Sequence, residues 1–127
     1  MILIIDDSLA DIELTRIALE STGREISVLS ATDGPSALAM LRKGHELPAL
    51  ILLDMNIPGM DGIEVLREIR ADDRLRDIPV VMITSSSLES ERIEAIAAGA
   101  GDYLEKPLAL DRFSKALEPI LHRWLPN

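Results

Sequence analysis

Residues 50–62 read LILLDMNIPGMDG. Four apolar residues, Leu50 to Leu53, run straight into a lone aspartate, Asp54, and a turn carrying Pro58, Gly59 and Gly62 follows. A continuous apolar run of strand length is expected of a strand covered on both faces, as in parallel sheets flanked by helices. Burying a carboxylate is unfavourable unless it is paired or bound to a cation. A strand that carries Asp54 to its end therefore carries it there for use. Gly59 and Gly62 let the loop turn back into a helix, and Pro58 stiffens it.

The same rhythm continues on either side. Candidate strands are Ile2–Ile5, Ile26–Ala31, Leu50–Leu53, Val80–Thr84 and Tyr103–Glu105. Helix-period segments lie between them. They run from about Ser8 to Ser21, from Asp33-Gly34-Pro35 to near Gly44, from Gly62 to near Asp72, from about Leu88 to Ala98, and from near Leu110 onward. Strand–helix alternation with short connections implies right-handed crossovers and one parallel α/β sheet. In the first helix Ala10, Leu14, Ile17 and Ala18 form one apolar stripe and Leu9, Ile12 and Leu19 another, of which one must face the sheet. In the last, Leu110, Phe113, Leu117, Ile120 or Leu121, and Trp124 recur at helical spacing. Pro119 interrupts that pattern and predicts a kink or a break, because proline lacks the backbone donor and clashes with the preceding turn.

Composition narrows the function. The 127 residues suit one domain, and no output domain is expected after the fifth helix. The aromatics are Tyr103, Phe113 and Trp124, so the core is aliphatic. With no cysteine there is no disulfide framework or thiolate metal site. The run ILII after Met1 is too short for a signal or a membrane span, and a cytoplasmic protein without membrane contact is expected. The net charge of −9 argues against nucleic acid, whose phosphates require Lys and Arg.

Ligands of open parallel sheets bind outside the carboxyl ends of the strands, where the strand order reverses. The first strand ends in Asp6-Asp7, the third in Asp54, the fourth in Thr84-Ser85 and the fifth in Glu105-Lys106-Pro107. Clustered carboxylates resist joint ionisation, and a divalent cation removes the conflict. Oxygen ligands suit Mg2+. Lys106 supplies a positive charge for an anion beside that metal, and Thr84 a hydroxyl donor. These are the parts of a phosphoryl-transfer site in which a carboxylate is the nucleophile. Each motif alone is bland: an Asp-Asp pair, or Asp7 or Ser8 singly, often only caps a helix. The ordered combination is specific.

The sequence resembles the receiver domain of two-component response regulators over essentially its whole length. The resemblance rests on Asp6-Asp7, the block LLDMNIPGMDG with Asp54, Thr84 closing VVMIT, the segment GAGDYLEKP, and Lys106-Pro107. It implies a flavodoxin-like sheet of order 2-1-3-4-5 and Asp54 as acceptor of a phosphoryl group from a sensor histidine kinase. Asp7, Asp54 and the Asn56 backbone carbonyl would hold Mg2+, with Asp6 helping through the metal's water shell. Lys106 and Thr84 would contact the phosphoryl oxygens. Tyr103 would be the switch aromatic, and the face of helix 4, strand 5 and helix 5 would pass the change to a downstream protein target. Asn56 and Ser86 hold positions that affect access of the hydrolytic water, and their small or polar side chains suggest turnover.

A weaker resemblance points to stand-alone regulators paired with phytochrome-type histidine kinases. It rests on DDSLADIELTRIALE and on Trp124-Leu125 near the end of the last helix. It implies a homodimer through the last helix around Phe113, Leu117, Leu121 and Trp124; packing on the chain's own domain is the alternative. A haloacid-dehalogenase-like Mg2+ phosphatase wants an acid two positions after the nucleophile, where this chain has Asn56. A scaffold that takes no phosphoryl group would lack one of the acids, Thr84 or Lys106. A flavodoxin-type flavin carrier would want a Ser/Thr-rich phosphate loop in place of DDSLAD.

Overall fold

A computed structural model describes residues 1–85, 88–106 and 109–125 of the chain. Five strands and five helices alternate: β1 (Ile2–Ile5), α1 (Leu9–Glu20), β2 (Val28–Ala31), α2 (Gly34–Lys43), β3 (Leu50–Asp54), α3 (Gly62–Ala71), β4 (Val80–Thr84), α4 (Glu89–Ala98), β5 (Asp102–Glu105) and α5 (Leu110–Trp124). The strands form one parallel sheet of order β2-β1-β3-β4-β5, the flavodoxin-like order expected.

The side-chain period of two in each strand divides the interior. Leu3, Ile5, Ile51, Leu53, Val80 and Met82 join one cluster with residues of α2, α3 and α4, including Leu38, Leu66 and Ala95. Ile2, Ile4, Leu50, Leu52, Val81 and Ile83 join the other with Ile12 and Leu19 of α1 and Phe113, Leu117 and Leu121 of α5. β1, β3 and β4 are buried at every position, which explains their unbroken apolar spelling. Fully burying one such aliphatic side chain is worth about 1.5–3 kcal/mol.

The helix starts were written in the sequence. Ser8 caps α1 by accepting from the Asp11 N–H, Asp33 caps α2 through Ser36 N–H, and Asp61 caps α3 through Glu64 N–H. The cap of α1 is thus Ser8, and Asp7 is left exposed at the sheet edge. α4 has no side-chain cap, and Ala95 is its one fully buried residue.

Four expectations shift. β2 begins at Val28, because its partner register with β1 starts at Ile2↔Val28. The sheet-facing side of α1 is Ile12, Thr15, Ala18 and Leu19, which mixes the two stripes and leaves Leu9 and Ile17 exposed. α5 continues through Pro119 without a break. Pro119 lies on its exposed side, while Leu117, Ile120 and Leu121 anchor the turns around it. That burial offsets the roughly 3 kcal/mol an internal proline costs a helix.

The fourth concerns the surface of α5. Phe113, Leu117 and Leu121 lie inside the chain's own core, so they are not free to form a homodimer interface. The last turn is clasped to the start of β5. Arg123 pairs with Asp102 at 3.1 Å, and the Trp124 indole covers Gly101 so closely that a Cβ there would stand 2.8 Å from it.

Candidate functional site

β1 and β3 are neighbours, and the strand order reverses between them. Their carboxyl ends deliver Asp6 and Asp54 side by side. Asp6 follows the last residue of β1, and its N–H donates to the Ala31 carbonyl at 3.0 Å. Asp54 closes β3, paired in register with Ile83. Backbone donors then aim both carboxylates. Ser8 N–H donates to Asp6 Oδ1 at 3.0 Å, and Asn56 N–H donates to Asp54 Oδ1 at 3.0 Å.

The loop after Asp54 is held tightly against it. Gly59 has φ +82°, in the left-handed region that favours glycine. Gly62 is needed for a different reason. A Cβ on it would lie 2.7 Å from both the Asp54 carbonyl oxygen and Met55 Cα, so α3 starts in direct contact with the β3 backbone. Gly62 N–H donates to the Met55 carbonyl at 3.0 Å, which closes the turn.

Lys106 arrives from the far side of the sheet. Its backbone N–H donates to the Thr84 carbonyl at 2.6 Å, directly after β5. Its Nζ donates to Asp6 Oδ2 at 2.8 Å, Asp11 Oδ2 at 2.8 Å and Asp54 Oδ2 at 3.0 Å. All three hydrogens of the ammonium have a carboxylate partner. Burial alone would lower the Lys106 pKa; the bonds from Asp11, Asp6 and Asp54 outweigh it and raise the group above its ordinary value. Asp6 is raised as well. Burial is the main cause and the nearby Asp54 charge adds to it, against the Lys106 and Ser8 hydrogen bonds.

Of the sequence-predicted residues, Asp6, Asp54 and Lys106 meet directly. Asp7 joins them: one carboxylate oxygen each from Asp6, Asp7 and Asp54 lies within 4.8 Å of the others. Among the described residues this is the group whose spacing could hold a metal. Oxygen-only donors at this spacing fit a hard divalent cation, and exposed Asp7 leaves the site open to solvent. Thr84 is fully buried at the end of β4, and its Oγ1 receives a long hydrogen bond of 3.4 Å from Asn56 Nδ2. Ser86, and Pro107 after Lys106, lie outside the described residues.

Tyr103 is half-buried on β5 beside the Val80 side of the core. Its hydroxyl is enclosed and makes no hydrogen bond of normal geometry. Burial, then the Glu91 charge, pushes the phenol above its ordinary pKa. The Thr84 hydroxyl opposes this weakly, by a polar contact short of hydrogen-bond geometry. An enclosed hydroxyl without a full partner costs about 1–3 kcal/mol.

One participant escaped the sequence reading. By sequence Asp11 is one polar residue in an apolar-patterned helix; the structure brings it to Lys106. The available signal was positional. It falls in the first turn of α1, whose cap Ser8 is two residues after Asp6, so the helix starts over the edge where β1 ends.

The comparisons with known proteins agree with this geometry. Residues 2–118 match the response regulator receiver domain. The chain is 43% identical over 107 residues to the response regulator PleD of Caulobacter vibrioides, covering 84% of this chain and 23% of PleD. It thus spans about a quarter of that relative's length. The crystal structure of the phosphorylated cyanobacterial phytochrome response regulator RcpA superposes with a TM-score of 0.89 at 34% identity, covering 98% of this chain and 93% of that one. The Mn(2+)-bound form of response regulator Rcp1 gives a TM-score of 0.86 at 34% identity, covering 99% and 94%. With strand order, edge chemistry and near-complete coverage in accord, the chain belongs to the response regulator receiver domain family.

Proposed function

We propose that this protein is the phosphoacceptor of a two-component pathway, with Asp54 as the residue that receives the phosphoryl group. The observation that carries the reading is the convergence of Asp6, Asp54 and Lys106 at the edge where the strand order reverses. An Asp54 carboxylate oxygen attacks the phosphorus of a phosphohistidine on a sensor histidine kinase. The O–P bond forms as the P–N bond breaks, and the bonding pair stays on the imidazole nitrogen. Lys106 neutralises charge on the transferred phosphoryl oxygens, and the Thr84 hydroxyl donates to another of them. Loss of the group follows when water attacks phosphorus and the Asp54 oxygen leaves. The domain promotes both steps on itself and is not a turnover enzyme. Asn56, exposed beside the acceptor, stands where it controls that water.

Asp6, Asp7, Asp54 and the Asn56 carbonyl would hold Mg2+, with Asp6 acting through the metal's water shell. When bound, that ion supplies positive charge that lets the carboxylates and an incoming phosphoryl group share one site.

The switch reading rests on three residues and one helix. A phosphoryl group adds about −2 charge and new acceptor oxygens at Asp54. Thr84 is drawn to them, and Tyr103 follows into the vacated space, where its enclosed hydroxyl gains a partner. α4 is poorly anchored, with no side-chain cap and one buried residue, which suits an element that moves. The face of α4, β5 and α5 then presents a changed surface to a downstream protein. The likeness to RcpA favours a phytochrome-type kinase as the donor. A homodimer at the last helix would have to use residues beside Phe113, Leu117 and Leu121, which the core already occupies.

The test is intact mass after incubation with acetyl phosphate and Mg2+. One added phosphoryl group is expected, lost in excess EDTA and absent in Asp54→Asn. Full uptake by Asp54→Asn would overturn the assignment.

A further inference from the structure

Two buried polar atoms on neighbouring elements take no part in the acceptor chemistry. One is the Tyr103 hydroxyl on β5, the other Glu91 Oε2 in the first turn of α4. Both are enclosed, and neither has a hydrogen-bond partner of normal geometry. Buried polar groups are nearly always bonded, and an orphan carries an uncompensated desolvation penalty. These two are complementary, since a phenol donates and a carboxylate accepts.

The fold sets them on facing surfaces. Ala95 and Ala98 of α4 belong to the cluster against which Tyr103 packs. Glu91 stands one turn before Ala95 and so on the same face of the helix. That turn follows the carboxyl end of β4, where Thr84 sits. After burial, the Glu91 charge is the next cause that raises the Tyr103 pKa. Arg92, the one basic residue of α4, is already paired with Glu89 at 2.6 Å.

We propose that Glu91 is the partner the Tyr103 hydroxyl gains on phosphorylation, and that their hydrogen bond latches the first turn of α4 to β5. In the unphosphorylated chain the hydroxyl stays against Thr84, and the two groups remain unjoined. Movement of Thr84 towards the phosphoryl group frees Tyr103 to turn to Glu91. α4 can answer, because its start has no side-chain cap and Ala95 is its one fully buried residue. Two orphans are satisfied at once, so the pair favours the phosphorylated conformation. The latch also re-aims Leu88 and Ile93, which are exposed on that part of the chain. Glu91 is a positioning residue that acts through Tyr103 and touches no reacting atom.

Because the latch rests on Asp54 as acceptor and Tyr103 as switch, the experiment separates the three. Beryllium fluoride binds a carboxylate reversibly in place of a phosphoryl group. Its half-saturation at saturating Mg2+ is read by 19F NMR for wild type, Tyr103→Phe, Glu91→Ala, their double variant, Glu91→Gln and Glu94→Ala. Tyr103→Phe and Glu91→Ala are each expected to need about tenfold more ligand, as for one hydrogen bond to a charged group. The double variant should match the singles, because either substitution alone already breaks the bond. Glu91→Gln keeps a carbonyl acceptor and should stay within about threefold of wild type. Glu94 is exposed on the same helix, and Glu94→Ala should match wild type within about twofold, its long-range charge effect screened by salt. Tyr103 is the chain's one tyrosine, so 13Cζ-labelled tyrosine gives a single signal. That signal should shift on adduct formation in wild type and Glu91→Gln, and much less in Glu91→Ala. Additive effects of the two substitutions, wild-type binding by Glu91→Ala, or a tyrosine shift that Glu91→Ala leaves intact would each overturn the proposal. A wild-type adduct with an unmoved tyrosine signal would overturn the switch reading and the latch with it. If wild type forms no adduct, or Asp54→Asn still forms one, it is the acceptor reading that fails.

Discussion

Leu53 and Asp54 are consecutive on β3, yet they sit in differently built regions. Leu53 has 0% exposure and belongs to the aliphatic cluster that the sheet forms with α2, α3 and α4. Asp54 has 8% exposure and meets a lysine, a backbone N–H and a second carboxylate's field. The interior gains stability from every group it holds. The edge gathers like charges around one ammonium, an arrangement that costs stability in the absence of an added cation. Burial is nearly the same in both. What differs is whether the neighbours relieve the cost of that burial, and this is what separates a packing residue from a working one.

Substitutions should fall on opposite sides of that divide. The largest stability effect is expected in the interior. Leu52→Ala removes a side chain that is 1% exposed in the α1–α5 cluster and should cost about 2–5 kcal/mol, read from the urea midpoint. A loss below about 1 kcal/mol would mean that this core collapses around the cavity. Gly62→Ala joins the two regions. Its Cβ would strike backbone of Asp54 and Met55, groups that are unable to swing aside. An overpacking cost of about 1–3 kcal/mol is expected, together with slower phosphoryl uptake, because the clash displaces the acceptor itself. Normal uptake with lowered stability would show that the acceptor tolerates a shift in its supporting loop.

The smallest effect comes from Asp6 and its dependence on pH. Its folded pKa lies above the ordinary 3.8, so between those values the folded state holds a proton the unfolded chain has lost. Asp6 therefore contributes least to stability at neutral pH and more as pH falls through its raised value. In EDTA, the stability of Asp6→Asn relative to wild type should be greatest at neutral pH and should shrink as pH falls through the raised Asp6 value. Growth of that difference on acidification would contradict the direction of the shift.

The same contrast decides what could be read in advance. The interior was legible because burial on both faces leaves a local mark, unbroken apolar runs such as ILII and LILL. The cap of α1 was legible as far as the pair Asp7 or Ser8, since capping depends on neighbours in sequence. Asp6, Asp54 and Lys106 could be brought together once strand ends were taken to share an edge. Asp11 could not, because its contact with Lys106 depends on how the first turn of α1 is set over that edge. The sheet-facing side of α1 was also hidden: its two stripes are equally apolar, and the buried side takes Ala18 from one and Ile12 and Leu19 from the other. The aliphatic spacing of α5 suggested an outward surface as readily as an inward one. Its fate was settled by long-range fits such as Trp124 over Gly101, which leave no local signature.

The central claim is that one carboxylate among the four around Lys106 and the metal group is the acceptor. Acyl phosphates are reduced by borohydride, and an aspartyl phosphate becomes homoserine. The protein should be phosphorylated with acetyl phosphate and Mg2+, reduced, digested and mapped by tandem mass spectrometry. Homoserine at position 54, with Asp6, Asp7 and Asp11 unmodified, is the result the account predicts. Homoserine at any of those three positions with Asp54 intact would contradict it.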